Sequence, residues 1–203
     1  MAKKQTYHHG DLRQALLDAA IALLQKKDVQ SLSLRQVARE AGVSHTAPYR
    51  HFEDKEALLG AIAEEGFIEF GSYLQSAVDQ TPNQPVECLM AAGVAYIRYA
   101  LDYPTHFRIM FSHFPSGEST DSSLHKTSTS TFQILVNIIL AGQIAQVMRS
   151  DQAAEFLALG KWSFVHGVAM LLLDGMLPTQ TGSQIALAEA LVKDSLIGLI
   201  LED

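Results

Sequence analysis

Apolar residues recur at steps of three and four along almost all of this 203-residue chain. That spacing lines one face of an α-helix. Leu12, Leu16, Ala19, Ala20, Leu23 and Leu24 form the first such stripe. Asp11 is placed to cap it, and Lys26 and Lys27 to meet its negative C-terminal end. Ser33 predicts the start of a short helix, with Gln36 three residues on as a capping box, and Gly42 predicts its end. Ser44 is expected to open a second short helix. A longer helix begins at Asp54, with Glu56 in its first turn and Leu58, Leu59, Ile62, Phe67, Phe70 and Leu74 as its apolar positions. Residues 81–85 read as a turn, and Pro85 as the first position of a helix that runs to about 102 and stops at Tyr103-Pro104. A short helix reaches about Phe114, and residues 115–123 carry only turn-forming composition. Two long helices are expected over about 124–148 and 151–173. A loop over 176–183 and a last helix over about 184–201 complete the chain. Period-two alternation is nowhere sustained, so the expected fold class is all-α.

Residues 33–51 have a more specific pattern. Two short helices joined by a three- or four-residue turn form a helix-turn-helix. The tight crossing needs a small residue on the first helix, and Ala38 supplies it. The turn needs φ > 0, which Gly42 tolerates, and Val43 can fill the space between the helices. A recognition helix enters the major groove N-terminus first. His45, Thr46 and Ala47 are then the expected base readers: the methyls of Thr and Ala can meet a thymine methyl, and His can donate to an acceptor edge. Ser44, Tyr49, Arg50 and His51 suit phosphate contacts, as do Arg35 in the preceding helix and Lys55 at the start of the next, where free N–H groups attract anions. Pro48, at the fourth position after the Ser44 cap, removes about one hydrogen bond and blurs the register of this helix.

The net charge of −7 argues against nucleic-acid binding until its placement is considered. Residues 1–55 hold nine Lys/Arg against six Asp/Glu, hence +3, whereas residues 56–203 hold six against sixteen, hence −10. Exposed charges are screened beyond about 8–10 Å in physiological salt, so a basic head can bind phosphate on an acidic protein. The change of sign predicts a DNA-binding domain over 1–55 and a second domain over 56–203, with the helix from about 54 connecting them. The apolar share of 48% suffices for a packed core, and no run approaches 18 uninterrupted apolar residues, so no membrane span is expected. The lysines near the N-terminus precede no apolar run, unlike a secretory signal. The single cysteine, Cys88, excludes an internal disulfide and reads as a small buried residue. A cytoplasmic setting fits best.

Residues 10–60 resemble the TetR/AcrR family of bacterial regulators. The segment from Val37 through Ala38, Gly42 and Ser44, continued by Tyr49-Arg50-His51-Phe52-Glu53-Asp54-Lys55, matches the family's N-terminal signature. Pro48 departs from it, since an aliphatic residue is usual there. Tyr7-His8-His9-Gly10-Asp11-Leu12 and Trp162-Ser163-Phe164-Val165-His166-Gly167 look like a branch whose C-terminal domain is named for its Trp, His and Gly. The resemblance implies a three-helix DNA-binding head and a ligand-binding body. It also implies dimerisation through the last two long helices and, usually, repression relieved by a small molecule.

The expected partners are therefore a double-stranded DNA operator, a small-molecule effector and a second copy of the chain, with no cofactor. Tyr96, Phe107, Met110, Phe111, Trp162, His166 and Met170 are the candidate effector-binding residues. They supply the apolar and aromatic lining such pockets use, with a few polar groups among them. Tyr96, His106, Arg108 and His166 are the candidates for those polar groups. Trp162 and His166, four apart, share a helix face. His106, His113, His125 and His166 are too scattered to predict a metal site. No phosphate loop, Gly-x-Ser-x-Gly or dinucleotide glycine pattern predicts an enzyme. The final helix, rich in Ile and Leu with small Ala186, Ala190 and Gly198, is suited to pack against a partner. The alternative reading is a helical DNA-binding or architectural module without effector control.

Overall fold

Four of the helices start where a side chain satisfies one of the first free N–H groups. In the computed structural model, which describes residues 9–112, 122–177 and 183–201, Ser33 and Gln36 make the expected capping box: Gln36 N donates to Ser33 Oγ at 3.4 Å and Ser33 N to Gln36 Oε1 at 3.1 Å. Asp54 accepts from Ala57 N at 2.8 Å. Ser122 and Ser183 cap later helices in the same way, each at 3.1 Å. The helices are α1 (His9–Leu24), α2 (Leu34–Glu40), α3 (Lys55–Val78), α4 (Pro85–Asp102), α5 (Pro104–Ser112), α6 (Ser123–Ile144), α7 (Ala154–Leu173) and α8 (Gln184–Ser195). The described residues contain no strand, only an isolated bridge between Met148 and Ile200.

α1, α2 and the turn after them fold around Leu16, Leu17, Ala20, Val37 and Phe52, which close against Leu58, Leu59 and Ile62 of α3. α3 then leaves this head and runs through the body, packed on α4, α5 and α6. α4 also packs on α7 and α8. Gly66 lets α3 approach α5 closely: a Cβ there would sit 2.8 Å from Met110 Cγ and Sδ. Tyr99 Oη donates to the Gly66 carbonyl at 3.2 Å across the same contact. A second cluster, with Cys88, Leu89, Val136, Ile139 and Met148 at its centre, lies farther from the head. The thiol of Cys88 is buried and donates to Thr81 O.

The structure corrects several expected boundaries. α1 ends at Leu24, so Lys26 and Lys27 lie beyond its last turn. Asp11 falls within α1, after its start at His9, and its side chain lies outside the described residues. α6 ends at Ile144, because Gln146 takes φ = 59° and a helix cannot continue through it. α7 starts at Ala154 rather than 151. α8 stops at Ser195, and the chain turns through Gly198 (φ = 78°) to the Met148–Ile200 bridge. The expected segment 115–123 lies mostly outside the described residues. The largest correction falls on residues 44–52, where the expected second short helix is replaced by turns.

Gly42 ends α2 at φ = 68°, with Val43 N donating to Ala38 O at 2.9 Å. This closes the helix with a left-handed residue. A Cβ at Gly42 would meet nothing within 4 Å, so the position constrains backbone conformation alone. Gly42→Ala is therefore expected to cost about 1–2 kcal/mol, a fall of about 2–4 °C in Tm per kcal/mol for a chain of this size. Thermal unfolding followed by circular dichroism measures it, and an unchanged Tm would mean that the turn does not hold this φ.

Candidate nucleic-acid interface and internal cavity

The segment after Gly42 is not an α-helix. Ala47 N donates to Ser44 O at 2.9 Å, but Pro48 has no N–H to continue the ladder. The chain instead makes one 3₁₀ turn, Pro48–Arg50, with Arg50 N bonded to Ala47 O and His51 N to Pro48 O. Pro48 and Phe52 are buried and anchor the segment. The guanidinium of Arg13, on α1, lies 5.8 Å from the centroid of the Phe52 ring.

This turn presents a polar face. Arg35, Ser44, His45, Thr46, Tyr49 and Arg50 are exposed, whereas Ala47 and His51 are half-buried. Tyr49 is 54% exposed, an unusual position for an aromatic ring without a partner surface. The Ser44 and Thr46 hydroxyls lie 3.2 Å apart. Lys55 is half-buried, and its Nζ turns towards Val29 O at 3.5 Å, which ties the turn between α1 and α2 to the start of α3.

A second feature lies inside the body. A cavity of about 430 Å³ is lined by Phe67, Phe70 and Leu74 of α3, Tyr96 of α4, Phe111 of α5, five residues of α6 between Ser128 and Leu135, and Trp162 of α7. Tyr96, Phe111 and Trp162 thus line it as expected. Phe107 and Met110 are fully buried core instead. His166 stands behind Tyr96, and Met170 packs against the core without lining the cavity. Of the expected polar groups, Arg108 pairs with Asp174 at 2.5 Å on the surface. His106 faces a cleft beside Gln14 and Glu65 of the head–body junction. The α6 wall (Ser128, Thr129, Thr131, Phe132, Leu135) was missed, because its Ser/Thr-rich opening reads as a solvent face. A wider groove of about 850 Å³ runs outside α3 and α4, but it is open and carries Glu69, Arg98 and Glu189. Of the two, the aromatic cavity has the apolar, uncharged walls.

Trp162, Tyr96 and His166 form a chain. Trp162 Nε1 donates to Tyr96 Oη at 3.0 Å, and Tyr96 Oη lies 2.9 Å from His166 Nδ1. Burial raises the Tyr96 phenol well above its ordinary value and lowers the His166 imidazole. A neutral imidazole accepts at Nδ1 while the phenol donates, so the three groups satisfy one another. His166 also stacks on Phe107 with centroids 5.6 Å apart and meets Phe111 edge-on at 4.6 Å. Among the described residues no group of three or more His, Cys, Asp or Glu side chains could share a metal ion. His113 lies outside those residues.

The imidazole gives a pH signature. Its folded value lies below the ordinary 6.5, so the unfolded chain takes up that proton first as pH falls. The stability due to neutral His166 is complete above about 6.5 and is lost between that value and the lower folded one. The wild type is expected to lose more Tm than His166→Phe between about pH 7.5 and about pH 5.5. Equal losses would show that the imidazole is not held neutral.

Comparison with known proteins places both features in a family. The profile for bacterial regulatory proteins of the tetR family matches residues 16–62, and that for the tetracyclin repressor-like C-terminal domain matches residues 89–195. A protein of unknown function from Rhodococcus sp. RHA1 shares 34% identity at a TM-score of 0.85, covering 98% of this chain and 100% of that one. The HTH-type transcriptional regulator BetI of Brucella anthropi is 23% identical over 188 residues, 92% of this chain and 94% of its own. The regulator FadR of Bacillus subtilis, whose structure contains stearoyl-CoA, has the same fold at a TM-score of 0.73 and 13% identity, covering 89% of this chain and 95% of its own. An exposed polar turn on a head of α1, α2 and the start of α3, which runs on into a body with an aromatic cavity, is thus the arrangement of a transcriptional regulator, and the chain belongs to the TetR family.

Proposed function

We propose that this chain is a dimeric repressor that grips a two-fold DNA operator with its head and releases it when a small molecule enters the aromatic cavity. The observation that carries this is α3. Its first turns, Leu58, Leu59 and Ile62, are part of the head's core, and its later turns, Phe67, Phe70 and Leu74, form a wall of the cavity. An occupant that shifts this wall moves the head along with it. The FadR structure, with stearoyl-CoA, supports a fold that accommodates an effector. The division of labour falls near residue 55, with residues 1–55 on DNA and 56–203 sensing and pairing. DNA belongs to the cytoplasm in a bacterium, and so does this protein. The Trp–Tyr–His chain supports placing the body in the branch named for its Trp, His and Gly. Gly167, the third letter, faces open space.

On this reading Arg35, Ser44, Tyr49, Arg50 and His51 hold phosphates, and His45, Thr46 and Ala47 meet base edges. Lys55 supports the turn and adds positive charge behind it. Arg50→Ala should weaken binding to all duplexes and lower the salt slope by about one. Thr46→Ala should alter sequence preference, costing about 1–3 kcal/mol at one base step. Fluorescence anisotropy on operator and random duplexes over a salt series separates the two. If both variants bind as the wild type does, the segment is not the DNA reader.

Dimerisation rests on α7. This helix has the length and hydropathy of a membrane span, yet Lys161 and His166 are held inside the bundle. Only six of its 20 residues are buried within the chain. Phe156, Leu159, Phe164 and Leu171 are exposed, and Gly160 and Gly167 leave room between them. An apolar face of this kind matches an interface with a second copy. Two heads then meet DNA about 34–36 Å apart, one helical turn. Leu159→Arg should give a folded monomer by analytical ultracentrifugation, with operator affinity reduced at least about tenfold. A dimer of undiminished affinity would place the interface elsewhere.

A further inference from the structure

We infer that the effector is an uncharged molecule built on rings, which reaches at most one hydrogen-bonding group to the mouth of the cavity at Ser128 and Thr129. The inference rests on the reading of the cavity as the effector site. Its basis is the chemistry that the walls can and cannot offer. Six of the eleven lining residues are aromatic, drawn from five different helices. Their rings already meet at the angles such faces prefer: Phe70 and Tyr96 edge-to-face at 4.9 Å, and Phe132 and Trp162 tilted at 5.7 Å. A ring inserted among them continues the same packing.

No lining residue carries a charge. The one ionisable group is Tyr96, whose hydroxyl is engaged by Trp162 and His166. Thr131, buried, spends its hydroxyl on the carbonyls of Thr127 and Phe67. Ser128 donates to His125 O. The exposed Thr129 is left at the rim, with the free lone pairs of Ser128 beside it. A separate void of about 40 Å³ shares Leu74, Tyr96 and Leu135 with the cavity and has Lys161 in its lining. The ammonium there donates to the Ser195 carbonyl, and Lys161 does not line the main chamber. An anion would therefore lose its water with at most the Thr129 hydroxyl, and no cation, to replace it. A cation would gain only ring faces, which recover less than its hydration when no carboxylate stands behind them. The volume, about 430 Å³, lies within the range of sites for drug-sized ligands.

Trp162 is the only tryptophan of the chain and stands in the cavity wall, so its emission reports occupancy of this site. The full-length protein is screened against ring compounds matched in size and supplied as neutral, carboxylate and trimethylammonium versions. Trp162 emission and thermal shift are read together. Two plugged variants are run in parallel: Leu135→Phe fills the chamber, and Thr129→Tyr closes its exposed mouth without touching the core. The expected result is neutral members that bind at least about tenfold tighter than both charged analogues and are weakened by both plugs. Charged members that bind as well or better in the wild type, and are lost in the plugged variants, would leave the cavity as the effector site and overturn its chemistry. The absence of any neutral binder would also overturn it. Binding unaffected by either plug would instead sink the assignment of the cavity itself.

Discussion

One continuous core along the length of a single helix constrains everything else in this molecule. α3 is 24 residues long, about 36 Å at 1.5 Å per residue. Asp54 fixes where it begins, and Leu58, Leu59 and Ile62 lock that end to α1 and α2. At the other end Phe67, Phe70 and Leu74 lock it to α4 and α6. No break interrupts the rod, so one helix supplies both the head's core and a wall of the aromatic cavity. Gly66 lies between the two ends, where α5 comes closest. A side chain there would wedge α5 away and loosen the rod from the body.

The helical plan could be read in the sequence where local chemistry decides structure. Ser33 with Gln36, Asp54, Pro85 and the Tyr103-Pro104 stop all act through groups a few residues apart, and all act as expected. Helix ends set by tertiary contacts were harder to read. α6 stops at Ile144 and α8 at Ser195 because the chain must turn to pair Met148 with Ile200, and nothing local announces that pairing.

The two sites divide along the same line. Most of the candidate DNA-binding residues lie within one short segment, so their exposure follows from the pattern around them. Even there, Pro48 changed a helix into a 3₁₀ turn, a larger effect than the loss of one bond suggests, because the segment is too short to recover beyond it. The cavity is assembled from five helices. Composition identified aromatic residues able to line it, but not which face each helix would turn inward. Phe107 and Phe111 are four apart on α5, yet only Phe111 reaches the cavity. The hydroxyl-rich start of α6 became a wall because α3 packs along it, a contact that only the folded chain reveals.

The uneven distribution of charge acquires a direction once the fold is known. Among the described residues the head, 9–55, holds seven Lys/Arg against six Asp/Glu, and the body, from 56 on, six against twelve. The described charge is thus uneven along α3, with its acidic excess on the body. Near a polyanion such as duplex DNA, a torque turns the molecule head-first before contact, and the acidic body is repelled from the same phosphates. The torque acts only within about 8 Å in physiological salt, so it does little for long-range capture. What it governs is the last moment of approach: the fraction of collisions that arrive in a reading orientation, and the ease with which a wrongly turned molecule leaves.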